Sequence, residues 1–248
     1  MTEILKGEVA LVTGASRGIG AAIADELAAQ GATVIGTATS DAGAQAIGER
    51  LAAAGGYGRR LNVNEAGAIE ALVDAVATEF GGVSILVNNA GITRDGTFHK
   101  MKADQWGDVI NTNLNSCFNV TRPVIEGMRE RKWGRVIQIS SINGLKGQYG
   151  QANYAAAKAG MHGFTISLAR ENARNGVTVN TISPGYIATD MVMAVPEEVR
   201  AKIVADIPTG RLGTPEEIAY GVGFLADEQA GWITGSNLDI NGGHHMGW

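Results

Sequence analysis

The stretch VALVTGASRGIGAAIADELAAQG, Val9 to Gly31, decides the fold. Val9 to Thr13 is a short apolar run of the kind that forms a strand buried on both faces. The glycine-rich GASRGIG follows, then AAIADELAAQ, which has the composition of a helix and stops at Gly31. A strand, a glycine loop and a helix in that order place free N–H groups and the positive helix end beside a backbone that a pyrophosphate can approach closely. Gly14, Ser16, Arg17, Gly18, Ile19 and Gly20 are therefore candidate dinucleotide-binding residues. A glycine loop alone is weak evidence, since turns use glycine freely; the strand–loop–helix setting is what gives it weight.

Outward from this unit, strand and helix patterns alternate. Thr33 to Thr37 predicts a second strand, Ala42 to Ala54 a helix, Gly58 to Val63 a third strand and Ala66 to Phe80 a helix. Ser84 to Val87 reads as a buried strand running into Asn88-Asn89-Ala90-Gly91. A long helical region spans Lys102 to Arg131, interrupted at Pro123. Strands are expected at Arg135 to Ile139, Val177 to Ile182 and Asn237 to Ile240, and helices at Asn153 to Arg174 and Pro215 to Ala226. Thr189 to Arg211 reads as a partly mobile insertion. The alternation, without linker or repeat, predicts one α/β domain over residues 1–248. It is a doubly wound Rossmann-type fold, with a mostly parallel sheet of about seven strands and helices on both faces.

Composition excludes several classes of function. Of 248 residues, 45% are hydrophobic and 18% charged, as in a soluble globular chain, and the net charge of −5 offers nucleic acid and anionic membranes no general attraction. No apolar run is long enough to span a bilayer, and the start lacks the apolar region of a signal peptide. A lone cysteine, Cys117, forms no internal disulfide, which suits a cytoplasmic location. The basic run Arg129, Arg131, Lys132, Arg135 reads as a solvated helix end rather than a nucleic-acid patch. His244-His245 lacks further ligands, so no metal site is expected.

The second strand bears on which dinucleotide binds. A site for NAD usually ends that strand with Asp or Glu on the ribose hydroxyls. Here no acid appears until Asp41, and Thr37, Thr39 and Ser40, with Arg17, would instead accommodate a 2′-phosphate, so NADP(H) is the expected cofactor. The plainer alternative leaves Arg17 merely solvated.

Ser141 to Lys158, SINGLKGQYGQANYAAAK, carries the chemistry. Tyr154 and Lys158 are one helical turn apart, and an ammonium beside a phenol favours the phenolate. In isolation such a pair is more often a solvated helix face.

Taken together these residues resemble the short-chain dehydrogenase/reductase family along essentially the whole chain. The resemblance rests on TGASRGIG, NNAG at Asn88 to Gly91, Ser141 with Tyr154-x-x-x-Lys158, and Ser183-Pro184-Gly185, in that order. It implies a catalytic tetrad of Asn113, Ser141, Tyr154 and Lys158. Ser141 would bind the substrate carbonyl oxygen, Tyr154 would deliver its proton, and Lys158 would lower the tyrosine pKa and hold the nicotinamide ribose. Asn113 would distort its helix and help carry a water relay. By the same resemblance Asn62 and Val63 would flank the adenine, and Asn89, Ala90 and Gly91 would lie under the cofactor. Pro184, Gly185, Ile187 and Thr189 would sit beside the nicotinamide, and 189–211 would be a substrate lid.

Within the family the chain resembles two groups, reductases of acetoacetyl-CoA and of 3-oxoacyl-(acyl carrier protein). The former is the expected activity, with (R)-3-hydroxybutyryl-CoA for polyhydroxyalkanoate synthesis as product; the latter is the alternative. Gln148, Tyr149, Gln151 and Tyr186 would line an acetoacetyl pocket, with Asp95 and Lys100 near the CoA arm; Tyr149 and Gln151 also read as plain loop surface. Lys132 and Asn175 stand where carrier-protein reductases tend to place docking arginines. A homotetramer is implied. A reductase of another alcohol, or a dinucleotide-binding module without catalysis, are the readings from other classes.

Overall fold

The computed structural model describes residues 3–247; Met1, Thr2 and Trp248 of the expected domain lie outside the described residues. Seven strands form one all-parallel sheet in the order β3-β2-β1-β4-β5-β6-β7. They are β1 Val9–Val12, β2 Thr33–Ala38, β3 Tyr57–Arg60, β4 Ile85–Asn88, β5 Gly134–Ile139, β6 Val177–Pro184 and β7 Asn237–Ile240. β1 pairs with β2 (Val9↔Thr33) on one side and β4 (Ala10↔Ile85) on the other, so the winding reverses between β1 and β4. A crevice opens at such a reversal, beyond the carboxyl ends of the strands.

The period-two alternation of β1 divides the core. Ala10 and Val12 face the layer of α1 (Gly18–Ala29), α2 (Asp41–Leu51) and α10 (Pro215–Ala226), packing with Ile23, Leu27, Ile47, Ile218 and Val222. Val9 and Leu11 face α3 (Ala66–Phe80), α5 (Ser116–Arg131) and α7 (Ala152–Asn172), with Ile69, Val76, Val120, Val124 and Met128. Strands buried on both faces explain the continuous apolar runs. Among the described residues, no helix is long and apolar enough to cross a membrane.

Three boundaries differ from the sequence expectation. β3 ends at Arg60, because Asn62 Oδ1 accepts the Asn64 N–H at 3.1 Å and turns the chain. Pro123 does not break its helix. α5 continues through it, held straight by Val120, Val124 and Met128 against the sheet, and the irregularity is a π-turn at Asn111–Asn115 following α4 (Ala103–Ile110). Residues 189–211 hold regular elements that the sequence reading did not assign: α8 (Asp190–Met193) and α9 (Glu197–Ala205), tied together by Arg200 Nη1 on the carbonyls of Met193 and Val195 at 3.1 and 3.2 Å. A short helix α6 (Asn143–Lys146) approaches α7 closely at Gly144, where a Cβ would meet the Lys158 Cβ at 2.9 Å.

Gly58 marks the closest helix–strand approach beside the crevice. A Cβ there would stand 1.8 Å from the Ala44 carbonyl oxygen of α2, a backbone atom with no freedom to retreat. Gly58→Ala is expected to destabilise the fold by on the order of 2 kcal/mol, read as a lower Tm.

Candidate active site

Two adjoining cavities occupy the crevice, sharing Ile19, Asn89, Gly91, Ile92 and Thr189. The larger runs over the glycine loop. Thr13 Oγ1 accepts the N–H groups of Asn89 and Ala90, both at 3.0 Å, and Asn89 Nδ2 donates to the carbonyls of Thr13 and Gly14 at 3.0 and 3.1 Å. This clamp ties β1 to β4 across the reversal and shapes the loop. Gly14 and Gly18 have φ of 68° and 55°, and a Cβ on Gly20 would meet the Gly14 oxygen at 2.2 Å. The concave backbone face thus exists only because these positions carry no side chain, and a dinucleotide pyrophosphate fits it.

Around this cavity stand Gly14, Ser16, Arg17, Gly18, Ile19, Gly20, Thr37, Thr39, Asn62, Val63, Asn89, Ala90, Gly91 and Thr189. Ser40 is outside the lining: its hydroxyl caps α2 by accepting the Gly43 N–H at 3.1 Å. Thr37 is buried and accepts the Gly14 N–H at 3.3 Å. Only Thr39 and Arg17, of the four groups expected to meet a 2′-phosphate, project from the exposed rim without a protein partner for their side chains among the described residues.

The smaller cavity holds Ser141, Tyr154 and Lys158, with Asn143, Gln151, Pro184, Gly185, Tyr186, Ile187 and Thr189. Ser141 follows the end of β5, and α7 supplies Tyr154 and Lys158 one turn apart. The Asn143 N–H donates to Ser141 Oγ at 3.1 Å, which leaves the serine's own proton free to donate into the cavity. Lys158 is buried; its Nζ donates to the Ile139 carbonyl at 2.7 Å and lies 5.6 Å from the Tyr154 ring centroid.

The electrostatics differ from the sequence expectation. Burial pushes the Tyr154 phenol up to about 12; the Ser141 hydroxyl opposes this, and the Asp95 charge adds to it. Burial also pulls the Lys158 ammonium down to about 8, so it is a weakened cation directed at a carbonyl instead of at the phenol. Desolvation outweighs the one-turn proximity on which a depressed tyrosine pKa was expected.

Asn113 is fully buried at the centre of the π-turn and lines neither cavity. Its amide bridges the backbone of Ile92, accepting from N–H at 2.8 Å and donating to the carbonyl at 2.9 Å, and so fixes the chain just past Gly91.

The expected substrate residues separate into two sets. Gln151 and Tyr186 face the cavity. Gln148 and Tyr149 do not: their loop is turned outward by left-handed Gly147 and Gly150 (φ 70° and 78°), and Tyr149 is 86% exposed. Asp95 and Lys100 are exposed and outside the lining, though Asp95 Oδ2 accepts Gln151 Nε2 at 2.9 Å. Asn143 went unrecognised in the sequence. It donates through Nδ2 to Gln151 Oε1 at 2.9 Å, and its position two residues past Ser141 in an Asn-Gly pair was the available signal. His244 stacks on Tyr186 with centroids 5.6 Å apart and meets Lys146 Nζ at 3.0 Å, a contact between segments 98 residues apart that no local pattern announces.

The sequence pattern of the family described as enoyl-(acyl carrier protein) reductase matches residues 14–245. The chain is 55% identical over 242 residues to the 3-oxoacyl-[acyl-carrier-protein] reductase of Vibrio cholerae, covering 98% of this chain and 99% of that one. It is 54% identical over 241 residues to the reductase of the same name from Escherichia coli K12 (97% and 98% covered). To that of Pseudomonas aeruginosa it is 51% identical over 244 residues (98% and 99% covered).

Proposed function

The chain belongs to the short-chain dehydrogenase/reductase family, and from that premise we propose that it reduces the 3-oxo group of an acyl thioester held on acyl carrier protein, using NADPH. The observation that carries this reading is the convergence of Ser141, Tyr154 and Lys158 on the floor of a cavity that opens into the glycine-loop cleft. Full-length relatives named for the carrier-protein reaction weigh in favour of that substrate over the acetoacetyl-CoA expected from the sequence.

When bound, NADPH would supply the hydride. The chain's own residues do the rest. Ser141, its oxygen already engaged by the Asn143 N–H, donates its proton to the substrate carbonyl oxygen and fixes its position. Tyr154, kept protonated by burial, delivers a proton to that oxygen as negative charge develops. Lys158 would hold the cofactor ribose, and Asn113 secures the wall of the cleft through Ile92. Gly14, Gly18 and Gly20 would cradle the pyrophosphate, and Thr39 with Arg17 would meet the 2′-phosphate. Residues 189–211, with α8 and α9, serve as the lid over the substrate.

Two exposed apolar faces support assembly as a homotetramer: Phe118 and Ile166 on α5 and α7, and Tyr220, Phe224 and Trp232 beside β7. Acetoacetyl-CoA is the second reading. It is favoured by the small polar pair Gln151 and Tyr186 in the cavity and by Lys132 and Asn175 at the docking positions, where the neighbouring Arg129 is occupied by Asn172 at 2.9 Å.

Comparing kcat/KM for acetoacetyl-carrier protein and acetoacetyl-CoA with NADPH decides between them. The carrier substrate is expected to be favoured by at least about tenfold, the contribution of one good docking contact. Equal or better turnover of the CoA ester would replace the first reading by the second, and no turnover of either would remove both.

A further inference from the structure

A 2′-phosphate carries nearly two negative charges and needs several donors. Of the groups the sequence offers, Thr37 is buried and Ser40 stands outside the residues that line the cavity. Thr39 and Arg17 alone make a thin site. The structure brings a further cation against the Thr39 backbone, just outside the residues that line the cavity. Arg60 is the last residue of β3 and pairs in register with Ala38, one residue before Thr39. Its Nε donates to the Thr39 carbonyl at 3.3 Å, which pins the guanidinium against the end of β2 and leaves Nη1 and Nη2 exposed.

The adjacent Arg59 is not available in this way: its Nη2 pairs with Glu79 at 2.8 Å and its guanidinium lies 5.3 Å from the Tyr57 ring. Neither Arg17 nor Arg60 has a carboxylate partner among the described residues. The acid nearest to Thr39 along the chain is Asp41, at the start of α2. Two guanidinium groups without a carboxylate partner thus belong to the surroundings of Thr39: Arg17 lines the cavity with it, and Arg60 is held on its carbonyl.

We infer that Arg60 is a second cation of the 2′-phosphate site and sets the preference for NADPH together with Arg17; this rests on the NADPH reading above. A fork of two N–H groups presented from a pinned Nε matches phosphate oxygens, which a freely rotating ammonium does less well.

The test is isothermal titration of the intact protein with 2′,5′-ADP and with 5′-AMP, which differ by that phosphate alone. The parent protein is expected to bind 2′,5′-ADP more tightly. Arg60→Gln is expected to weaken 2′,5′-ADP about tenfold with 5′-AMP unchanged, and Arg60→Lys to recover part of the loss. If Arg60→Gln leaves 2′,5′-ADP binding intact while Arg17→Gln weakens it, Arg60 has no part in the site. Equal weakening of both nucleotides by Arg60→Gln would make it a support of the β2–β3 edge and also overturn the assignment. A parent protein that binds the two nucleotides equally would overturn the NADPH reading itself.

Discussion

Tyr154→Phe is expected to lower kcat for carbonyl reduction by about a thousandfold, within the range that a positioned proton donor contributes. The phenol lies in the cavity beside Ser141, and the substitution removes its proton while keeping the ring. Binding of 2′,5′-ADP should be unaffected, since Tyr154 does not line the glycine-loop cleft. Single-turnover rates at saturating thioester give the measurement, and a loss smaller than tenfold would exclude Tyr154 as the acid. The pH profile supplies a second readout. A phenol pushed up to about 12 stays protonated through pH 9, so a fall in reduction rate below that pH belongs to another group. Lys158, at about 8, is the candidate.

Lys158→Met should separate function from stability. Activity is expected to fall by two orders of magnitude or more, as for loss of a group that positions cofactor and acid together. Stability at pH 7 should nonetheless rise, by on the order of 2 kcal/mol, because a charge without an anionic partner is removed from a buried site. The sign follows from linkage. Burial lowers the folded pKa to about 8 from the ordinary 10.5, so between those values the unfolded chain holds more protons and parent stability climbs with pH. Below 8 that gain is absent. The advantage of the methionine variant should therefore be largest at pH 7 and shrink towards pH 10, which thermal melts at three pH values would show. A variant less stable than the parent at pH 7 would mean that the Ile139 hydrogen bond outweighs the desolvation.

Much of this architecture was legible locally. The apolar run Val9–Val12, the glycine loop and the helix to Ala29 were each recognisable without knowing what they pack against, whereas the sheet order, with its reversal between β1 and β4, is a tertiary result. Local reading failed where a competing interaction was local too but weaker in signal: the turn at Asn62–Asn64 shortened β3, and α5 passed through Pro123 because its apolar face is held on both sides of the proline.

By itself the sequence determined the doubly wound fold, the dinucleotide loop and the one-turn spacing of Tyr154 and Lys158, all of which rest on backbone periodicity and on positions that tolerate only glycine. Tertiary structure alone decided which side chains remain free and how they titrate. Thr37 is buried, Tyr149 points outward, Arg60 reaches Thr39 from another strand, and Asp95 holds Gln151 from 56 residues away. The pKa of a phenol or an ammonium depends on how much water its neighbours exclude, and those neighbours come from distant parts of the chain. The Ile139 carbonyl that takes Lys158 belongs to β5, while the lysine itself belongs to α7, and only their packing together makes the charge costly.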